Sequence, residues 1–173
     1  MYKQDPKFTA DIVVNISVKD DNTIPNSKVK LRDDGEGDLK IWAVPNCLQV
    51  ENRYLVSVDI GGKSTTSDYT VMTVIDRFGM IPTVKGKPKV VARYRGHVRH
   101  DKLAWMAAAL AHYYDDALLV IESNTADREK NNNTEGDHFL TILQEIADYY
   151  DNLYQRTSSS ENVEDNVLAK YGF

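Results

Sequence analysis

The chain has 173 residues, 42% hydrophobic and 27% charged, with a net charge of −5, which is enough for one domain with a real core and too little for two independent ones. No apolar run approaches the roughly 20 residues of a membrane span, and the N-terminal MYKQDPKFTADIV lacks the apolar stretch of a signal peptide, so a soluble, cytosolic protein without membrane contact is expected. The single cysteine, Cys47, excludes an internal disulfide and a cysteine zinc cluster.

In chain order, residues 1–45 read as a β-rich connecting segment or arm. Short β-like runs at 11–18, 28–31 and 39–44 are broken by DDNTIPNS and DDGEGD. Residues 46–173 read as the main body. Runs at 54–60, 68–77 and 88–97 alternate in strand fashion with short polar turns, which predicts an antiparallel meander. The segment LAWMAAALAHYY then places Leu103, Met106, Ala107, Leu110 and Tyr114 on one helical stripe. Residues 117–121, ALLVI, are continuously apolar, as in a strand buried on both faces. A polar loop leads to a second amphipathic helix expected over 138–154, followed by TSSSEN and a short helical tail.

The stretch DIGGKST after the first meander strand looks like a phosphate loop but lacks its geometry. Such a loop needs G-x-x-x-x-G-K-[ST] between a strand and a helix. Counting back from Gly62 reaches Ser57, inside the strand, and the residues that follow are β-branched and alternate. What remains is Asp59 at the C-terminal end of a strand, a glycine turn, and a returning strand that begins with Asp68. Glu122 likewise follows the buried run 117–121. If these strands are neighbours, the two carboxylates emerge a few ångströms apart, where like charges are unfavourable without a shared proton or cation. Either they are ordinary strand-end acids facing water, or they hold magnesium or manganese, which prefer carboxylate and water oxygens. His97, His100, His112 and His138 lack metal-ligand spacing.

The segment KGKPKVVARYRGHVRHDK concentrates the cations of an otherwise acidic chain. Arg93, Arg95, His97 and Arg99 are two apart, so one extended strand would put them on one face. That face is open to two readings: a solvated surface, or a contact to nucleic-acid phosphates that reads no sequence. Lys63, in the glycine turn, has the same two readings.

The string VSVDIGGKSTTSDYTVMTVID, with VVARYRG, LAWMAAALAHYY and ALLVIESNT, resembles the nuclease domain of tailed-phage terminase large subunits over roughly residues 40–173. The resemblance implies an α/β, ribonuclease-H-like mixed sheet, a three-strand antiparallel meander plus a parallel strand, flanked by helices. It implies a DNA endonuclease that cuts concatemeric double-stranded DNA with two magnesium or manganese ions during packaging. On this reading Asp59 and Glu122 are catalytic metal ligands and Asp68 lies near the metals, while Lys63, Arg93, Arg95 and Arg99 bind DNA. It further implies a packaging ATPase domain, a portal and a small terminase subunit as partners, in the cytoplasm of an infected or lysogenic bacterium. The family's third catalytic Asp has no counterpart motif before Phe173, so the domain is expected to lack its C-terminal part and to cut slowly or not at all. Asp148, Asp151 and Asp165 are the remaining late acids.

Two other classes compete. DIGGKST also resembles the first phosphate turn of the actin, sugar-kinase and heat-shock ATPase superfamily, which would make an ATP-binding protein, although no second glycine-rich turn follows Glu122. A non-catalytic docking module of the packaging motor is the third reading.

Overall fold

The computed structural model describes residues 4–14, 28–46, 50–61, 66, 68–122, 143 and 146–155. Strands β1 (Phe8–Val13), β2 (Lys28–Arg32), β3 (Leu39–Ile41), β4 (Tyr54–Asp59), β5 (Thr70–Asp76) and β6 (Lys89–Gly96) precede helix α1 (His100–Tyr113) and strand β7 (Leu118–Ile121). They build one seven-stranded sheet in the order β2-β1-β3-β6-β5-β4-β7. The pairs β4–β5 and β5–β6 are antiparallel and β7 runs parallel to β4. The expected meander and parallel strand are therefore present, in a ribonuclease-H-like α/β arrangement. The strands of residues 1–45 extend the same sheet, because β3 pairs with β6 through Leu39 opposite Tyr94 and Ile41 opposite Ala92.

Strand alternation decides which face is buried. Tyr54, Val56 and Val58 on β4 align with Met72 and Val74 on β5, Ala92 and Tyr94 on β6, Leu39 and Ile41 on β3, and Leu119 and Ile121 on β7, and all are buried. Helix α1 covers this face. Residues 103–111 of α1 are buried without exception, so the predicted single apolar stripe is instead a helix enclosed on more than one side. Its second cover is Leu143, Ile146 and Tyr150, which belong to the same core, and Trp105 lies 5.7 Å from the Tyr149 ring.

The helix expected over 138–154 ends earlier, and its beginning lies outside the described residues. The amides of Tyr149 and Tyr150 both donate to Ile146 O, after which the chain extends. Leu119 N donates to Asn152 O at 2.9 Å, Tyr154 N donates to Leu119 O at 2.8 Å, and Leu153 bridges Leu119 in parallel. The exposed edge of β7 thus has its backbone groups satisfied, which outweighs continuing the helix.

Strand β6 contains a bulge. Val74 pairs with Ala92 but Ile75 pairs with Val90, which leaves Val91 as an extra residue. Val91 is buried, and its carbonyl accepts from both Trp42 N and Ala43 N at the end of β3. Beyond it, Arg93 and Arg95 are exposed and Tyr94 and Gly96 buried.

At the far end of β4 and β5, Arg53 donates to both carboxylate oxygens of Asp76, at 3.1 and 2.9 Å, and Phe78 N donates to Asp76 Oδ1 at 2.8 Å. The Arg53 guanidinium also lies 5.0 Å from the Tyr54 ring centre and 4.9 Å from that of Phe78. Burial alone would raise the Asp76 pKa. The Arg53 hydrogen bonds, the Phe78 amide and the charges of Arg53 and Lys89 outweigh burial and hold it below the ordinary value.

Candidate metal centre at the sheet end

Because Tyr54, Val56 and Val58 face α1, Leu55, Ser57 and Asp59 face the opposite side of the sheet. Asp59 ends β4 exposed. Val58 pairs with Ile121, and Glu122 N donates to Val58 O at 3.0 Å, so Glu122 leaves β7 beside Asp59. The two carboxylates are close enough for Glu122 to act on Asp59. The Asp59 pKa is raised, first by burial, then by the hydrogen bond and the charge of Glu122, then by the charge of Asp68. Asp59 is nevertheless exposed, so water screens part of this repulsion.

Asp68 reaches the same end through the glycine turn. Gly61 N donates to Thr70 Oγ1 at 3.0 Å, which ties the exit of β4 to the entrance of β5. A Cβ on Gly61 would meet Tyr69 C at 2.2 Å, Asp68 O at 2.4 Å and Thr70 N at 2.4 Å. These are backbone atoms that cannot swing aside. Gly61→Ala is therefore expected to cost about 1–3 kcal/mol, the usual range for overpacking, and to displace Asp68 from Asp59. Calorimetry and a manganese titration of the variant check both effects, and a wild-type midpoint would show that the turn relaxes freely.

The cations are divided by the end of the strand. Arg93 and Arg95 lie exposed on β6, whereas His97 and Arg99 fall beyond it, and Arg99 is the N-cap of α1. Arg95 aligns with Val71 on β5, which aligns with Asp59 on β4, so both charged side chains share the face away from α1. The Arg95 guanidinium sits 3.4 Å from the centre of the Tyr69 ring, and the same ring stacks on His97 at 4.2 Å. Sequence reasoning missed Tyr69 because the register of β5 on β6 is set across a long connection rather than a tight hairpin. His112 is away from this end and pairs with Asp116 at 2.7 Å. Asp148 and Asp151 are exposed. Asn152, which follows Asp151, bonds Asn52 and Asp116 O at the start of β4 and β7, the opposite end of these strands. Lys63, His138 and Asp165 lie outside the described residues.

Among the described residues no group of three or more His, Cys, Asp or Glu side chains could hold a metal ion. The donor set of Asp59 and Glu122 still suits a hard divalent cation. Both are carboxylates, they lie close together, and water completes the shell of magnesium or manganese in sites of this kind. Among the described residues no helix is long and apolar enough to cross a membrane.

The strand order is that of a ribonuclease-H-like α/β fold. No protein-family profile matches the chain, and no curated protein matches it significantly. Among solved structures it is similar to the large terminase nuclease from thermophilic phage G20c with bound magnesium, at a TM-score of 0.46 and 13% identity over 77% of this chain. The chain spans 57% of the length of that structure.

Proposed function

We propose that this chain is a metal-dependent endodeoxyribonuclease domain of the kind found in viral genome-packaging terminases, acting on concatemeric double-stranded DNA. The observation that carries the reading is the closeness of Asp59 and Glu122 at the ends of two adjacent parallel strands. Two carboxylates held together at a cost to the fold are explained by a cation that both would bind. Magnesium or manganese bound there supplies Lewis-acid polarisation of a phosphodiester and of water. Asp59 and Glu122 hold the ions, and Asp68 orients water beside them. Arg95, fixed against Tyr69, and Arg93 hold the phosphates of the incoming strand, with Arg99 and Lys63 as further contacts. Residues 46–173 form the nuclease body in this reading and 1–45 the segment joining it to a packaging ATPase. The portal, the small terminase subunit and the cytoplasm of a bacterial host are the corresponding partners and compartment. The ATP-binding and docking-module readings gain no observation from the described residues.

Manganese titration followed by calorimetry is the direct test. Loss of a partner behind a ligand already costs about 10–100-fold in metal affinity, so Asp59→Asn and Glu122→Gln, which alter ligands themselves, are expected to cost about 100-fold or more. Any nicking of supercoiled plasmid in manganese is expected to disappear with them. A wild-type protein that takes up no manganese overturns the reading, as does nicking that survives both substitutions.

A further inference from the structure

We infer that Lys40 and Arg93 form a phosphate-binding point, separate from the carboxylate pair, that carries the backbone of one strand of the nucleic acid across the face of the sheet away from α1. The inference rests on the proposed nuclease reading only in naming the polyanion as nucleic acid.

Lys40 on β3 lies directly opposite Arg93 on β6, and Arg93 directly opposite Thr73 on β5, which faces Ser57 on β4. On the other side Lys40 aligns with Thr9 on β1, and Thr9 with Arg32 on β2. One row of polar side chains thus crosses six strands on the face away from α1. No described element covers the face at Lys40 and Arg93, and both residues are exposed. Like charges placed directly opposite destabilise a sheet. Neither cation has an ion-pair partner among the described residues, whereas Arg32 in the same row contacts Asp11 at 3.3 Å and Asp34 at 3.2 Å. Arg53 elsewhere in the sheet is matched to Asp76. The fold therefore neutralises those arginines and leaves the Lys40–Arg93 pair charged. Thr9 Oγ1 and Arg32 Nε, in the same row, are buried with no hydrogen-bond partner among the described residues, so the row is short of polar partners as well as of negative charge.

The geometry favours a strand over a small anion. Arg95 and Arg93 are two residues apart on β6, about 6.8 Å, close to the spacing of successive phosphates. Lys40 is the next strand over, and at about 4.8 Å per strand it lies roughly 14 Å across the sheet from the strand bearing Asp59. Three cations drawn out over an open surface, in a chain whose net charge is −5, match an extended backbone better than one phosphate group.

The test is fluorescence anisotropy of the full chain with a labelled single-stranded oligonucleotide and with its duplex, in EDTA, over a range of salt. Lys40→Ala and Arg93→Ala are each expected to weaken single-strand binding and to reduce the slope of log affinity against log salt by about 0.7. Lys40→Glu is expected to do so more strongly while raising the melting temperature, because it converts the like-charge pair into an ion pair. Opposite signs for binding and stability are not what a merely structural lysine gives. Binding and slope unchanged in Lys40→Glu overturn the inference. So does a wild-type chain that binds no oligonucleotide, or one whose binding inorganic phosphate competes away at equal phosphate concentration. Substitutions that weaken binding of neither the single strand nor its duplex overturn the backbone assignment. Because metal is absent, none of these failures touches manganese binding by Asp59 and Glu122, and loss of that binding leaves this result standing.

Discussion

Asp76→Ala is expected to destabilise the protein by about 3–5 kcal/mol, the range measured when one partner of a buried ion pair is removed. The Arg53 side chain is only 7% exposed, so the variant leaves a largely buried guanidinium with no carboxylate to neutralise it. Its Nη1 already has no hydrogen-bond partner among the described residues, and the Tyr54 and Phe78 rings cannot replace a carboxylate. At about 2–4 °C per kcal/mol for a chain of this length, the midpoint should fall by roughly 6–20 °C. Removing both charges, as Arg53→Met with Asp76→Leu, should recover most of the loss, since no lone ion remains. A fall of less than about 3 °C for Asp76→Ala would show that water reaches Arg53. The same pair gives an acid limb. The folded pKa of Asp76 is depressed, so its contribution is complete above the ordinary value of 3.8 and is lost as pH falls from there through the folded value.

Asp59→Asn is expected to act in the opposite direction, stabilising the metal-free protein near neutral pH. The folded pKa of Asp59 is raised, so the folded state binds its proton more tightly than the unfolded chain. Stability therefore falls as pH rises from 3.8 through the raised value, above which the ionised pair costs its full amount. Two unit charges about 4 Å apart repel by about 1 kcal/mol in water and about 4 kcal/mol at a protein surface of intermediate dielectric; the exposure of Asp59 favours the lower figure, worth roughly 2–4 °C. Manganese should reverse the ranking. A cation at 100 times its dissociation constant stabilises by about 2.7 kcal/mol, a gain open to the wild type and closed to Asp59→Asn. Thermal melts with EDTA and with manganese measure all four states. Equal shifts in the two proteins would place the ion elsewhere, and a metal-free Asp59→Asn that melts lower than wild type would mean that the pair carries no repulsion.

Much of the framework was legible because it is local. Alternation in β4, β5 and β6 survives in the sequence as buried and exposed residues two apart, and the run before Glu122 reads as a buried strand because both of its faces are apolar. The carboxylate pair followed from those two strands alone, needing only that they be neighbours. What was not legible depends on partners distant in sequence. Nothing in Leu39, Lys40 and Ile41 announces that they pair with β6, and without that pairing Lys40 is one surface lysine among several. Tyr69 likewise gains its meaning from Arg95 and His97, which lie across a strand. Residues 152–154 read as helix because Leu153 and Tyr154 continue an apolar pattern, while the free edge of β7 that draws them into extended form is a tertiary fact. The cation track over 93–99 was drawn too long because its alternation continues in the sequence past Gly96, where the strand ends and the turn into α1 begins.

The bulge at Val91 has a consequence for how this surface could arise and be lost. Upstream of it Val90 lies on the face away from α1, so an uninterrupted strand would send Arg93 and Arg95 toward the helix and Tyr94 toward water. One supernumerary residue corrects the phase, and it does so where its carbonyl also anchors the end of β3. In terms of the gene, β6 has a single position at which its length can change by one codon without inverting everything downstream. Deleting Val91 leaves Val90 opposite Ile75 and Ala92 opposite Val74, at the cost of two hydrogen bonds. An insertion between Ala92 and Arg95 instead buries part of the cationic row and exposes core in the same stroke. A change of length at this one site leaves the charged face in place, where the same change further along β6 would turn it over.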